Sequence, residues 1–174
     1  MRKKCRTSFT SCDKWIILHT NIRGYESKAY SLHTILNEVI PSVVTINETF
    51  LKNNRKLRIP GFMCYNRNRQ CNNGGGIATC VTSKDAMHAL KVFEGGNDNE
   101  TLITRHSQFS IPLNIINIYG EQESRTSNEK IQEKWTNILH ETSKIEAKSE
   151  HVLLIGDLNK HVGSLVEGNE KDKM

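Results

Sequence analysis

Apolar residues fall into short runs and helical stripes along this chain, with Gly, Asn and Ser between them. Residues 15–22 (WIILHTNI) form an apolar run of strand length, and Val43–Asn47 forms a second one. Between these runs, apolar side chains recur at the spacing of one helical face, at Leu32, Ile35, Leu36, Val39 and Ile40. Pro41 ends that helix because proline disfavours helical geometry in the residue before it. This order predicts a βαβ unit with parallel strands.

The middle of the chain predicts antiparallel pairing. The segments Phe62–Arg69 and Gly76–Thr82 have strand character and flank the turn-rich residues 70–75, which is typical of a hairpin. The pattern also predicts three further strands. It is less regular at Ala89–Phe93 and Thr101–Phe109, and it is clear at Leu113–Tyr119.

The longest helix is predicted over Ser127–Lys148. One face of it carries Ile131, Trp135, Ile138, Leu139, Thr142 and Ile145. Thr126 and Glu129 have the spacing of a capping box, which would start the helix there. A short strand of buried type, His151–Ile155, follows and leads into Gly156-Asp157.

Composition and the absence of linkers predict one domain. The chain has 174 residues, of which 36% are hydrophobic and 25% charged, so a folded domain with a core fits it better than disorder. No internal repeat or interdomain linker interrupts the pattern. We expect residues 14–163 to form the domain, with residues 1–13 a disordered lead-in and 164–174 a disordered tail.

The formal net charge is +5, and the distribution of charge is more informative than the total. The residues between Glu48 and Asp85 include no acidic side chain, but seven basic ones: Lys52, Arg55, Lys56, Arg58, Arg67, Arg69 and Lys84. Such a stretch would attract a phosphate backbone. A solvated loop with its counter-charges elsewhere in space explains it equally well.

The cysteines and the N-terminus give no sign of an extracellular or membrane protein. Five cysteines lack a zinc-site spacing, and we expect Cys64 and Cys80 to be strand residues with reduced thiols. No apolar run approaches the ~20 residues of a membrane span, and no secretory signal follows the basic N-terminus. We therefore expect an intracellular setting, in the nucleus or cytoplasm, without membrane association.

Polar side chains stand at or just beyond the ends of four predicted strands. They are Asn21, Glu48, Tyr119, Asp157 and, two residues further on, Asn159. Ligands of α/β sheets gather outside the carboxyl ends of strands, so this placement suggests a site. For each residue taken alone, a structural role as a helix cap or turn residue is an equally good explanation.

Five motifs then occur in a set order. They are Asn21-Ile22-Arg23-Gly24, Asn47-Glu48-Thr49-Phe50-Leu51, Arg67-x-Arg69 with Gly74-Gly75-Gly76, Asn117-Ile118-Tyr119-Gly120 and Gly156-Asp157-Leu158-Asn159. Single motifs of this kind arise often by chance, whereas the series is specific. It resembles the endonuclease/exonuclease/phosphatase superfamily, most of all the apurinic-type endonuclease domains of non-LTR (LINE-type) retrotransposon polyproteins.

The resemblance implies a fold and a chemistry. The fold would be a four-layer α/β sandwich of two mixed sheets, and the reaction hydrolysis of phosphodiesters with Mg²⁺ or Mn²⁺. Glu48 and Asn21 match the metal ligands, and Asp157 matches the residue that orients or deprotonates the attacking water. Asn159 and Tyr119 match groups that contact the same phosphate. DNA would be the substrate, and a reverse transcriptase domain would accompany this one in the parent polyprotein.

The resemblance implies less about the basic residues. Arg67 and Arg69 lie on a hairpin that borders the nucleic-acid groove in related domains, and Arg23 follows the metal-binding asparagine. Two surface arginines on a glycine hairpin are an equally good interpretation.

One part of the family pattern is missing from this sequence. The family has a Ser-Asp-His motif whose histidine contacts the scissile phosphate, and the residues after Asn159 contain none; His161 occupies a different position. We therefore expect a truncated domain with an incomplete second half. A DNA-nicking endonuclease is the first hypothesis, with a phosphoester phosphatase or a non-catalytic nucleic-acid-binding remnant as alternatives.

Overall fold

The computed structural model describes residues 15–52, 54–68, 75–95, 100–120 and 127–159. The predicted lead-in 1–13, the tail 164–174, Arg69 and His161 lie outside these ranges, so the predictions for them stay predictions.

The first sheet has four strands in the order β1-β2-β4-β3. The strands are β1 (Ile17–Asn21), β2 (Val43–Asn47), β3 (Phe62–Arg67) and β4 (Ile77–Thr82), and helix α1 (Tyr25–Val39) connects β1 to β2. The pairing of β1 with β2 is parallel and that of β3 with β4 is antiparallel. The predicted βαβ unit and hairpin are both confirmed.

The second sheet repeats this mixture, in the order β5-β6-β7-β8. Its strands are β5 (Ala89–Glu94), β6 (Thr101–His106), β7 (Leu113–Tyr119) and β8 (His151–Asp157), and helix α2 (Asn128–Glu146) connects β7 to β8. The pairing of β7 with β8 is parallel, and the other two pairings are antiparallel. A short 3-10 helix, Ala86–His88, precedes β5 and was not predicted.

Three apolar clusters show how the layers stack. Leu32 and Leu36 of α1 pack on Val44 and Ile46 of the first sheet. The second helix packs in the same way on the second sheet, with Ile138 and Ile145 against Ile103, Ile116 and Ile118. A third cluster, which includes Val43, Val81 and Ile115, joins the two sheets. The fold is therefore the predicted four-layer α/β sandwich of two mixed sheets.

Both helices bury less of their apolar face than predicted. Leu32 and Leu36 are buried, but Ile35, Val39 and Ile40 on α1 are 44%, 36% and 76% exposed. On α2, Leu139 is 64% exposed. The periodicity identifies which side chains share a face, but the sheet beneath covers only part of that face. The predicted capping box of Thr126 and Glu129 is also wrong. The N-cap of α2 is Ser127, whose hydroxyl accepts a hydrogen bond from the Lys130 backbone N–H.

The expectation of reduced thiols at Cys64 and Cys80 is wrong. The two residues face each other in the antiparallel register of β3 and β4, and their side chains form a disulfide. Sixteen residues separate them in the sequence, so their spacing alone gave no sign of the pairing.

The helices give no indication of a membrane span. Within the described ranges, neither helix combines the length and the apolar character that crossing a bilayer requires.

Candidate functional site

The predicted polar residues meet at one edge of the sandwich. Asn21 ends β1, Tyr119 ends β7 and Asp157 ends β8, while Glu48 follows directly after β2. In each sheet, two of these strands are parallel neighbours, so their carboxyl ends lie side by side. Hydrogen bonds then join the ends of β1 and β2 to those of β7 and β8.

Asn21 bridges the two carboxylates. Its Nδ2 donates to Glu48 Oε1 at 2.9 Å and to Asp157 Oδ2 at 2.8 Å. Because both amide hydrogens are directed at carboxylates, the carbonyl oxygen must point elsewhere. Asn21 Oδ1 is buried and has no hydrogen-bond partner among the described residues. The cluster therefore contains a buried amide oxygen without a hydrogen-bond partner, on the side of the Asn21 amide that faces away from the two carboxylates.

Tyr119 completes the cluster from the second sheet. Its hydroxyl donates to Glu48 Oε1 at 2.7 Å. Burial and the bond to Glu48 raise the pKa of Tyr119 to about 12, against an opposing effect of Asn159. The phenol is therefore a neutral hydrogen-bond donor throughout the physiological range.

The raised pKa of Tyr119 predicts how stability depends on pH. A group whose folded-state pKa is raised contributes stability below its ordinary pKa of 10, and this contribution is lost as the pH rises towards about 12. We expect the free energy of unfolding to fall over that window, and to fall less steeply in Tyr119→Phe. Urea unfolding at several pH values measures both slopes. Equal slopes in the two proteins would show that Tyr119 titrates normally.

A tight turn after β8 positions Asp157 and Asn159. The Asn159 backbone N–H donates to Asp157 Oδ1 at 3.0 Å, and Asn159 Nδ2 donates to the Gly120 carbonyl at 2.6 Å. Gly120 lies so close to this turn that a Cβ there would be 2.0 Å from the Leu158 carbonyl oxygen. The motif after β7 and the motif after β8 therefore form one unit.

Several site residues adopt a left-handed backbone. The φ angles of Arg23, Glu48 and Asn159 are 48°, 55° and 46°. Such values are uncommon outside glycine, although asparagine tolerates them better than most residues. Backbone hydrogen bonds hold the Glu48 loop in place, from Gly24 N to Glu48 O at 2.8 Å and from Thr49 N to Gly76 O at 3.0 Å. The Glu48 side chain is therefore directed by a fixed loop.

Two buried asparagines lock the sheets together just below the site. Asn47 Nδ2 donates to the Ile118 carbonyl at 2.9 Å, and Asn117 Nδ2 donates to the Ala78 carbonyl at 2.8 Å. Both side chains are fully buried. The sequence shows these residues inside two of the motifs, but it gives no sign of the cross-sheet bonds.

Other residues near the site were missed by sequence reasoning. Glu100 is 3% exposed, and its Oε1 accepts from Gly76 N at 3.1 Å. Lys134 of α2 is 8% exposed and donates through Nζ to the Tyr119 carbonyl. His19, two residues before Asn21, hydrogen-bonds Thr45 Oγ1, and burial lowers its pKa against the opposing charge of Asp157. Nothing in the local sequence distinguishes these residues from surface or core positions.

The predicted basic residues differ in their surroundings. Arg23 is exposed beside the Asn21 strand end. The Arg67 side chain is only 12% exposed and pairs with Glu94 at 3.2 Å, and exposed Arg55 pairs with Glu26. Acidic residues outside the acid-free stretch therefore neutralise part of its charge. This agrees with the interpretation of the stretch as a solvated segment whose counter-charges lie elsewhere in the fold. Arg69 lies outside the described residues.

The donor set fits a hard divalent cation. Among the described residues, no three His, Cys, Asp or Glu side chains are grouped to hold a metal ion. A cation here would bind the Glu48 carboxylate and water, and rotation of the Asn21 amide would turn Oδ1 towards it in place of Nδ2. Mg²⁺ prefers such oxygen ligands, and it commonly uses one or two carboxylates and keeps several waters. The unpartnered Asn21 oxygen is the observation that supports the fit.

Solved structures share this fold. An AP endonuclease from Leishmania major matches with a TM-score of 0.65 and 16% identity over 83% of this chain and 55% of that one. The APE2 catalytic domain of Xenopus laevis matches with a TM-score of 0.66, 16% identity and coverages of 83% and 58%. A 3′ phosphatase from Neisseria, NExo bound to a product DNA hairpin, matches with a TM-score of 0.57, 17% identity and coverages of 82% and 57%.

No protein-family model matches this chain, and no curated protein sequence matches it. The chain spans little more than half the length of the solved structures it resembles. It has the endonuclease/exonuclease/phosphatase fold that these structures share.

Proposed function

We propose that the strand-end cluster hydrolyses phosphodiester bonds in nucleic acid with the help of Mg²⁺ or Mn²⁺. The observation that carries the proposal is the bridging of Glu48 and Asp157 by Asn21, whose own carbonyl oxygen is left without a partner. Two carboxylates and an amide oxygen at the carboxyl ends of strands suit a hard cation and a phosphate.

Asp157 is the group that orients and deprotonates the attacking water. Its two oxygens accept from Asn159 N and Asn21 Nδ2, which fixes the plane of the carboxylate. Each carboxylate oxygen retains a further lone pair, so Asp157 can still accept a hydrogen bond from water. General-base help of this kind contributes typically ~10²–10⁴-fold to a rate.

Tyr119 and Asn159 hold the phosphate. The Tyr119 hydroxyl keeps its proton and points to Glu48, where the phosphate would lie against the ligand cluster. Asn159 donates to the Gly120 carbonyl, and its side chain also acts on the Tyr119 hydroxyl, so the two groups would contact the same phosphate. When bound, a divalent cation would polarise a non-bridging oxygen and stabilise the leaving alkoxide.

DNA is the proposed substrate, and a LINE-type retrotransposon polyprotein is the proposed origin. The names of the structural neighbours support DNA as the class of substrate, since they include AP endonucleases and a phosphatase bound to a DNA hairpin. The order of the five motifs supports the retrotransposon origin, with a reverse transcriptase as partner domain and DNA in the nucleus or cytoplasm as target.

Nicking of supercoiled plasmid tests the proposal. We expect the wild-type chain to nick in Mg²⁺ but not in EDTA, and Asp157→Ala to lose about 10²-fold or more of the rate. Glu38→Ala is the matched control, because Glu38 is an exposed carboxylate on α1. The Asp157 variant must retain the circular dichroism spectrum of the wild type.

The other outcomes identify the alternative functions. Equal nicking by wild type and Asp157→Ala would contradict the hydrolase. If neither protein nicks but both bind DNA with salt-sensitive affinity, the chain is a binding remnant. Mg²⁺-dependent release of phosphate from small phosphoesters without cleavage of DNA would identify a phosphatase.

A further inference from the structure

Phe50 is an exposed aromatic side chain beside the candidate site. It follows Glu48 by two residues, and it is 42% exposed while Thr49 and Leu51 on either side are 1% and 7% exposed. The two buried neighbours anchor the loop on both sides and leave the ring outside. Single exposed apolar residues are common on proteins, so exposure alone carries no conclusion.

Three further constraints fix Phe50 in place. Its backbone N–H donates to the Gly75 carbonyl at 2.9 Å. Its φ of 53° lies in the left-handed region, which a bulky side chain rarely adopts. Its ring lies over Gly24, where an added Cβ would come within 3.3 Å of Phe50 Cδ2. The ring therefore has a defined position next to the Asn21-Ile22-Arg23-Gly24 segment.

Exposed basic residues lie close to Phe50 and Gly24 along the chain. Arg23, adjacent to Gly24, and Lys52, two residues after Phe50, are both exposed. Within the described ranges, neither is paired with an acidic side chain. Lys56 and Arg58 add exposed cations further along the same segment. Proteins that bind single-stranded nucleic acid combine these elements, aromatic faces on which bases stack and cations that follow the backbone.

We propose that Phe50, with Arg23 and Lys52, forms a stacking platform for an unpaired nucleobase next to the phosphate bound at Glu48. This proposal rests on the proposed function, which gives nucleic acid as the substrate class. It narrows that substrate class to strands with an unstacked base. Two residues span at most about 7 Å. Because stacked bases are spaced roughly 3.4 Å apart along a strand, a base within one or two nucleotides of the phosphate is in reach.

Binding of fluorescent single-stranded oligonucleotides in EDTA tests the platform without hydrolysis. We use an oligothymidine, its uridine RNA counterpart and a DNA of equal length with abasic residues throughout. Phe50→Ala should weaken binding of both base-bearing strands about 5- to 100-fold and leave binding of the abasic strand unchanged. Tyr30→Ala is the matched control, since Tyr30 is an aromatic residue on α1 with 85% exposure, and it should change affinity less than twofold.

Phe50→Trp gives a second measurement that does not depend on loss of a side chain. It should retain binding of the base-bearing strands, and the thymidine strand, but not the abasic strand, should quench its fluorescence more than that of the wild type, whose indoles are Trp15 and Trp135. The proposal is overturned if the wild type binds no oligonucleotide, if Phe50→Ala weakens all strands equally, or if it weakens none. These measurements need no cleavage. The stacking platform can therefore be absent in a chain that nicks plasmid, and present in a chain that does not.

Discussion

Replacing Glu48 with glutamine is expected to reduce Mg²⁺-dependent cleavage by about 10²-fold or more. Glutamine keeps the Oε1 that accepts from Asn21 Nδ2 and from the Tyr119 hydroxyl, so the hydrogen bonds of the cluster persist. It also keeps the side-chain shape at the left-handed backbone position. What it removes is the negative charge, and with it much of the affinity for a divalent cation.

Single-turnover cleavage over a range of Mg²⁺ concentrations measures this effect. The loss should be partly recovered at high Mg²⁺, because weaker binding of the cation is its cause. Glu38→Gln, which neutralises an exposed carboxylate on α1, should retain the wild-type rate. A Glu48→Gln protein that cleaves within threefold of the wild type would show that Glu48 holds no cation.

Replacing Gly156 with alanine is expected to have the largest effect on stability. An added Cβ would lie 1.8 Å from the Ile118 carbonyl oxygen, which belongs to the neighbouring strand β7, and the φ of 153° is one that L-residues rarely adopt. A backbone atom in a parallel pair cannot move aside as a flexible side chain can. We expect a loss of about 3–5 kcal/mol from overlap and backbone strain together.

Gly61→Ala separates the two contributions. Gly61 also has a positive φ, of 80°, but nothing lies within 4 Å of its added Cβ, so only backbone strain of about 1–2 kcal/mol applies. Since about 1 kcal/mol shifts the Tm of a domain this size by roughly 2–4 °C, thermal unfolding resolves the two variants. Equal Tm values for Gly156→Ala and Gly61→Ala would contradict the close approach of β7 and β8.

The bounds of two central strands were predicted to the residue, Val43–Asn47 for β2 and Leu113–Tyr119 for β7. The other two central strands were predicted less closely, because β4 begins one residue later and β6 ends three residues earlier than expected. Helix bounds were close, but helix burial was not. Periodicity describes a helix by itself, whereas the exposure of Ile35 and Leu139 depends on how far the sheet extends beneath each helix.

The site was predictable only in part, since its contacts cross the whole chain. Asn21 and Asp157 are separated by 136 residues, and their meeting followed from parallel strands and from the order of motifs. Glu100 was not predictable, because a glutamate at the start of a strand gains its role only when Gly76 lies opposite it. The disulfide of Cys64 and Cys80 likewise depends on a strand register that the spacing does not show.

Binding of Mn²⁺ by the metal-free chain, followed by electron paramagnetic resonance, tests the central proposal that Glu48 and Asn21 hold a divalent cation beside Asp157. The wild type and Glu38→Gln should bind Mn²⁺ saturably and with equal affinity, Mg²⁺ should displace it, and Glu48→Gln should bind at least about tenfold more weakly. Equal binding by the wild type and Glu48→Gln would contradict the claim, as would no saturable binding by the wild type.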